Sequence, residues 1–193
     1  MTTSVAPKPD QRPTLLIIDM QQGMARPEAG RRNNPQAEAN INCLLTAWRA
    51  SGAGIVHVRH ISRSPGSPFW PGQPDVEFQP ALAPLDHEHV VEKNVPDAFV
   101  NSGLERWLRV RDLRRLVIVG VSTSNSVEAT ARSAGNLGFD THVVADGCFA
   151  FDKTDYAGTH RSAAEVHAMS LANLDGEYAT ILETTAALRL LDA

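Results

Sequence analysis

Cysteine is scarce in this chain of 193 residues, with Cys43 and Cys148 the only two. Two are too few for a disulfide scaffold or a cysteine-built zinc site, and the scarcity suits a reducing compartment. Positive charge is also short. Eighteen Lys and Arg against 22 Asp and Glu leave a net charge of −4, which excludes the cationic footprint of a nucleic-acid binder. No run approaches the roughly 18 apolar residues of a membrane span. The opening MTTSVAPKPDQRP has no apolar core, so it does not read as a signal peptide. These absences predict a cytoplasmic protein with no nucleic-acid and no membrane partner. What is present, 42% apolar residues, is enough for a real core. A flexible tail over 1–13 and a single domain over 14–193 are the resulting expectations.

The hydrophobic pattern alternates strand and helix. Short apolar runs without helical period predict buried strands at Thr14–Asp19, Gly54–Arg59, His89–Glu92, Leu116–Val119, Thr141–Ala145 and Tyr178–Leu182. Helices are expected at Asn40–Ala50, Ser102–Arg111, Val127–Leu137, Ser162–Leu174 and Thr184–Leu191. In the first of these, Ile41, Leu44, Leu45 and Trp48 make one apolar stripe, and Ser51-Gly52 ends it. The fold class is therefore α/β, a six-stranded and mainly parallel sheet with helices on both faces. Residues 60–88 break the rhythm. Six of the twelve prolines fall between Pro65 and Pro84. This is too long for an ordinary connector and suits either a wall of a binding site or a plain surface excursion.

Sites in open α/β sheets form beyond the carboxyl ends of the strands, so the polar residues just past each strand are the ones to weigh. Asp19 closes the first strand and Lys93 the third. A carboxylate and an ammonium at one buried edge would pair, and such a pair suits acid–base chemistry. Each alone is more often a cap or a solvated strand end. After the fourth strand comes GVSTSNS, Gly120 to Ser126, leading into a helix. Free backbone N–H groups at a helix start suit an oxyanion, with Ser126 at or near the N-cap. Ser and Asn are also ordinary caps. The segment matches neither a Walker loop nor GxSxG. Ser122, Asn125 and Gln21 are candidates to orient polar groups of a substrate. Phe69, Trp70 and Phe99 are candidates for apolar walls, with Phe149 a further one. Arg59, Arg63 and Arg161 are candidates for a substrate carboxylate. The seven histidines are scattered without HExxH spacing, so no metal and no cofactor are expected.

The chain resembles the isochorismatase-like hydrolase superfamily, the cysteine hydrolases. The likeness runs through LLIIDMQ at 15–21, EKNVPDAFVNSGLERWL at 92–108 and GVSTSNSVEATARSAGNLGF at 120–139. It continues through VVADGCFAF at 143–151 and the region from His167 to Thr184. It covers nearly the whole chain in the right order. The resemblance implies strand order 3-2-1-4-5-6, a catalytic trio on Asp19, Lys93 and Ser126, and a cis peptide at Val121–Ser122. It also implies a homodimer or homotetramer acting on a small molecule. Relatives of the nicotinamidase type bind a metal through an Asp and two His after the second strand, and the run from His60 to Pro68 contains no Asp.

The family's typical nucleophile is a cysteine, and this chain has Ser126 in that place. A thiol near pKa 8.5 lies about 4–5 units above an ordinary Asp, whereas a hydroxyl near 15.7 lies about 12 above it. At about 1.4 kcal/mol per unit, proton transfer to the Asp is harder by roughly 10 kcal/mol. Three readings stay open at this point. Asp19 serves as general acid or base in a non-cysteine hydrolase, with Lys93 and Ser126 in support. Alternatively, the chain is a C–N (amide) hydrolase whose catalytic cysteine has been replaced. Or it binds small molecules without turnover.

Overall fold

The computed structural model describes residues 12–192. Most of the expected tail, residues 1–11, lies outside them. Six parallel strands make the central sheet: β1 Thr14–Ile18, β2 Ile55–His60, β3 His89–Lys93, β4 Arg115–Val121, β5 Asp140–Phe149 and, at the far edge, β8 Thr180–Leu182. Their spatial order is β3-β2-β1-β4-β5-β8. Counting the sixth sheet strand as β8, this is the expected 3-2-1-4-5-6. An antiparallel ribbon not expected from the sequence, β6 Lys153–Thr154 with β7 His160–Arg161, sits between β5 and the fourth helix. With two residues per strand, it has too short a pattern to stand out from a turn.

The helices are α1 Ala37–Ser51, α2 Leu104–Val110, α3 Glu128–Asn136, α4 Ala163–Leu174 and α5 Thr184–Leu188. Side chains alternate across a strand, so the unbroken run of β1 divides between two cores. Leu16 and Ile18 join Val56, Val58 and Ile118 under α2 and α3, while Leu15 and Ile17 join Ile55, Val117 and Val119 under α1 and α5. The α1 stripe of Ile41, Leu44, Leu45 and Trp48 is fully buried, and Gly52 ends that helix at φ +70°. Trp48 Nε1 donates to the Pro13 carbonyl at 2.7 Å, satisfying a buried polar tip. Ser162 and Glu165 form a reciprocal capping box at the start of α4.

Several boundaries move. β5 runs to Phe149 rather than Ala145, because a register shift opposite β4, between Ile118 and Gly120, lets the strand continue through a polar stretch. The helix expected from Val127 is preceded by a π-type turn, Thr123–Val127, so Ser126 lies inside that turn, one residue before the N-cap Val127. Gly120 is required where it stands. Its φ is +121°, and a Cβ there would fall 2.1 Å from the Ile18 carbonyl oxygen of the neighbouring strand.

The long excursion from Ile61 to Glu88 is tied down at its far end by Glu88. Its carboxylate takes two bonds from Arg49 at 2.7 and 2.9 Å, one from the Leu85 N–H at 2.9 Å, and meets buried His57 at 2.8 Å. Burial pushes the Glu88 carboxyl up, but these donors outweigh it and hold it down at about 2. A carboxylate depressed below its unfolded value stabilises the fold above the unfolded pKa and loses that contribution as pH falls through the folded one. Denaturant titrations should therefore show stability falling between about pH 4.5 and 2, with a shallower fall over that window in Glu88→Gln.

Candidate active site

β1 and β3 end on the same edge of the sheet, and this brings Asp19 and Lys93 together. The chain leaves β1 at Asp19 with φ +52°, a left-handed conformation that aspartate tolerates better than most residues. The Asp19 N–H is held by the Val58 carbonyl at 2.9 Å. Lys93 Nζ lies 2.6 Å from Asp19 Oδ2 and 3.2 Å from Ser126 Oγ. All three residues are buried, with Asp19 at 1%, Lys93 at 3% and Ser126 at 6% exposure, so the ammonium bridges carboxylate and hydroxyl away from bulk water. Burial pushes the Asp19 carboxyl up from its usual value, against the opposing pull of Lys93 and the Ser126 hydroxyl. Its Oδ1 has no hydrogen-bond partner.

Ser126 reaches this place from the opposite side of the switch point. β4 passes through a cis Val121–Ser122 peptide into the π-type turn, where Val127 N–H donates to the Ser122 carbonyl at 3.2 Å. Thr123 Oγ1 meets His167 Nδ1 at 2.8 Å, which ties the turn to α4. That histidine is therefore engaged with Thr123, and His160 is exposed beside Asp152, so neither is bonded to Ser126.

A cavity of about 540 Å³ opens over the Ser126 hydroxyl. Ser122, Asn125 and Phe69 line it, together with Met24, Phe151 and Lys153. Several expected wall or binding residues are not among those that line it. Gln21 is not among the residues that line the cavity. Its Nε2 donates to the His60 and Val76 carbonyls at 3.0 and 2.8 Å, and its Oε1 accepts from the His60 N–H at 2.7 Å, so it braces two chain segments. Phe99 stacks on Phe139, with centroids 5.7 Å apart, because it packs into the core beside α2. Trp70 is not among the cavity-lining residues, although its neighbour Phe69 is. Phe149 is fully buried in the α1 core with the Arg32 guanidinium over its ring. Arg59 and Arg161 are engaged in ion pairs with Glu92 and Asp155.

The sequence pattern does not reveal His60, Asp75 and Arg26 as members of this region. His60 is the register partner of Lys93, its ring meets Phe69 edge-on at 6.2 Å, and it senses both Asp19 and Lys93. Burial, then the Lys93 charge, push its imidazole below the ordinary value. The pairing of β2 with β3 carries that information, and the spacing of histidines does not. Asp75 and Arg26 line the cavity and form an ion pair at 2.6 Å. Among the described residues, no group of three or more His, Cys, Asp or Glu is arranged to hold a metal ion.

An isochorismatase domain matches residues 13–185. The chain belongs to the isochorismatase family. An isochorismatase-family protein from Chromobacterium violaceum, known from its crystal structure, is 50% identical. It superposes with a TM-score of 0.92 over 100% of this chain and 99% of that one. The isochorismatase family protein YrdC of Bacillus subtilis is 36% identical over 175 residues, 91% of this chain and 94% of its own. Streptothricin hydrolase of Streptomyces noursei is 32% identical over 127 residues, 64% of this chain and 45% of that protein. The chain is thus an isochorismatase-family hydrolase by descent and by fold. Among the described residues no helix is long and apolar enough to cross a membrane.

Neither cysteine stands at this site. Cys148 is fully buried on β5 and its thiol is pushed up to about 12 by burial, whereas Cys43 is exposed on α1. A thiolate is the reactive form, so Cys148 is inert in the folded chain. A disulfide-exchange reagent should titrate one thiol in native protein and two in denaturant. Alkylating the native protein should leave any turnover unchanged.

Proposed function

We propose that the chain hydrolyses a small molecule without a cysteine nucleophile, using Asp19 as the group that gives and takes the proton. One observation carries this reading: a buried carboxylate, raised from its usual value and with one oxygen unpartnered, is joined through Lys93 to Ser126, which lines a substrate-sized cavity. A raised carboxyl is a better general acid near neutral pH than a free one. In this scheme the Asp19 carboxyl protonates the substrate at the bond to be broken. Water adds at the electron-poor carbon, and its surplus proton returns to Asp19 as the product separates. Lys93 stabilises the carboxylate formed in between, and Ser126 hydrogen-bonds the water or a substrate oxygen. Ser122 and Asn125 bind polar groups of the substrate.

A second reading is supported by the position of Ser126 Oγ, 3.2 Å from Lys93 Nζ and lining the cavity beyond the cis peptide. This is where the nucleophile of a C–N hydrolase would stand, and the likeness to streptothricin hydrolase supports a hydrolytic chemistry of some kind. A panel of enol ethers, amides and esters separates the two. On the first reading Asp19→Asn lowers kcat/KM by about 10²–10⁴, the range for a general acid–base group, and Ser126→Ala by about tenfold or less. A Ser126→Ala loss as large as that of Asp19→Asn, with amide turnover gained in Ser126→Cys, supports the second. Binding without turnover across the panel, in both wild type and Ser126→Cys, leaves only a binding role. The proposal also takes the working form to be a cytoplasmic homodimer or homotetramer, and light scattering on the eluted protein tests its oligomeric part.

A further inference from the structure

The lining of the cavity carries four charged side chains, Arg26, Glu28, Asp75 and Lys153. Arg26, Glu28 and Lys153 are exposed, while Asp75 is 4% exposed. A carboxylate removed from water has about four acceptor positions to satisfy. Asp75 satisfies few of them. Arg26 Nη2 lies 2.6 Å from its Oδ1, an ion pair without a directed hydrogen bond, and that oxygen has no hydrogen-bond partner. The Arg26 side chain is itself 54% exposed, so the counter-ion is half in solvent. A buried acceptor left unmet is costly, more so when charged, and a donor supplied by a ligand recovers that cost.

The backbone beneath Asp75 is not free to turn it away. Asp75 sits in a short 3₁₀ turn, Pro74–Val76, whose Val76 carbonyl accepts from Gln21 Nε2 at 2.8 Å. On either side, Gln22 N–H donates to the Glu77 carbonyl at 2.8 Å and Gln79 N–H to the Met20 carbonyl at 3.0 Å. The segment just past Asp19 therefore holds Asp75 as well. Gly23, also in the lining, leaves room for it: a Cβ there would lie 2.8 Å from the Phe69 ring and 3.0 Å from Asp75 Cβ.

We propose that Asp75 is a specificity residue that recognises a nitrogen donor on the substrate, an amide N–H or an ammonium, with Arg26 as a counter-ion that yields to it. The inference rests on the hydrolase reading only in taking this cavity as the substrate's. A ligand carboxylate would face the Asp75 charge, whereas an N–H group would meet its open oxygen positions.

The test reads binding, not turnover. Backbone-amide NMR titrations of the full chain would use three probes of matched size: butyramide, butylammonium and butyrate. Wild type should bind the two nitrogen probes at least tenfold more tightly than butyrate, with shifts in residues 122–126. Asp75→Asn should cut that preference below threefold. Arg26→Gln, which removes the competing cation, should tighten butylammonium relative to butyramide. Equal affinity for butyrate, or an unchanged preference in Asp75→Asn, overturns the proposal. Should Asp75→Asn fail to fold, the Arg26→Gln titration decides, and no change in the butylammonium to butyramide ratio counts against it. Selective binding without hydrolysis defeats the hydrolase reading alone, and hydrolysis without nitrogen preference defeats this inference alone.

Discussion

The buried contact between Lys93 and Asp19 is the constraint around which the other parts of the site are arranged. Two opposite charges, each taken almost wholly out of water, are not favourable merely by proximity. Desolvation offsets much of their attraction, and removing one partner strands the other at a cost of about 3–5 kcal/mol. The pair survives because two strand ends, separated by 74 positions in the chain, are fixed in place through β2. The second contact of the ammonium, to Ser126, brings in β4 from the other side of β1. The geometry of the buried pair and the topology of the sheet are thus one problem here. If β3 slipped by one residue, Lys93 would turn to the other face and Asp19 would be left buried without its cation.

Much of the fold was legible in the sequence because a doubly wound sheet repeats one simple pattern. The run LLII marked a strand buried on both faces, the stripe of Ile41, Leu44, Leu45 and Trp48 marked its covering helix, and Gly52 marked the stop. Asp19 and Lys93 stood out as polar residues at the carboxyl ends of apolar strands. The parts that were not legible depend on side chains choosing backbone partners. Gln21 looked like a polar group near the catalytic edge, but its amide is fully engaged with the backbone around His60 and Val76. Phe99 and Phe69 look alike as aromatic residues in loops. One packs on Phe139 and the other lines the cavity, where the bare backbone of Gly23 makes room for its ring. Asp75 sits in a proline-rich stretch with no period at all, so nothing local distinguished it from a solvated loop acid.

Ser126 gives this member of the isochorismatase family a hydroxyl, not a thiol, beside the buried pair of Lys93 and Asp19. A hydroxyl so close to an ammonium is a hydrogen-bond partner, and its own acidity is far from what Asp19 could exploit. Burial pushes the Asp19 carboxyl up and the His60 imidazole down, so both groups beside Lys93 are altered by their surroundings. The buried thiol on β5 is moved away from its reactive form, and no cysteine is among the residues that line the cavity.

The segment from Ile61 to Glu88 is held at both ends and again at Val76. Gln21 grips the chain at His60 and again at Val76, and Glu88 is gripped by Arg49, His57 and the Leu85 N–H. Between these clamps the backbone contributes no strand to the sheet, yet it supplies Pro68, Phe69 and Asp75 to the cavity wall. This part of the wall comes from a stretch of chain that the sheet does not use as a strand, so the six-stranded frame and the lining of the cavity answer to different parts of the sequence.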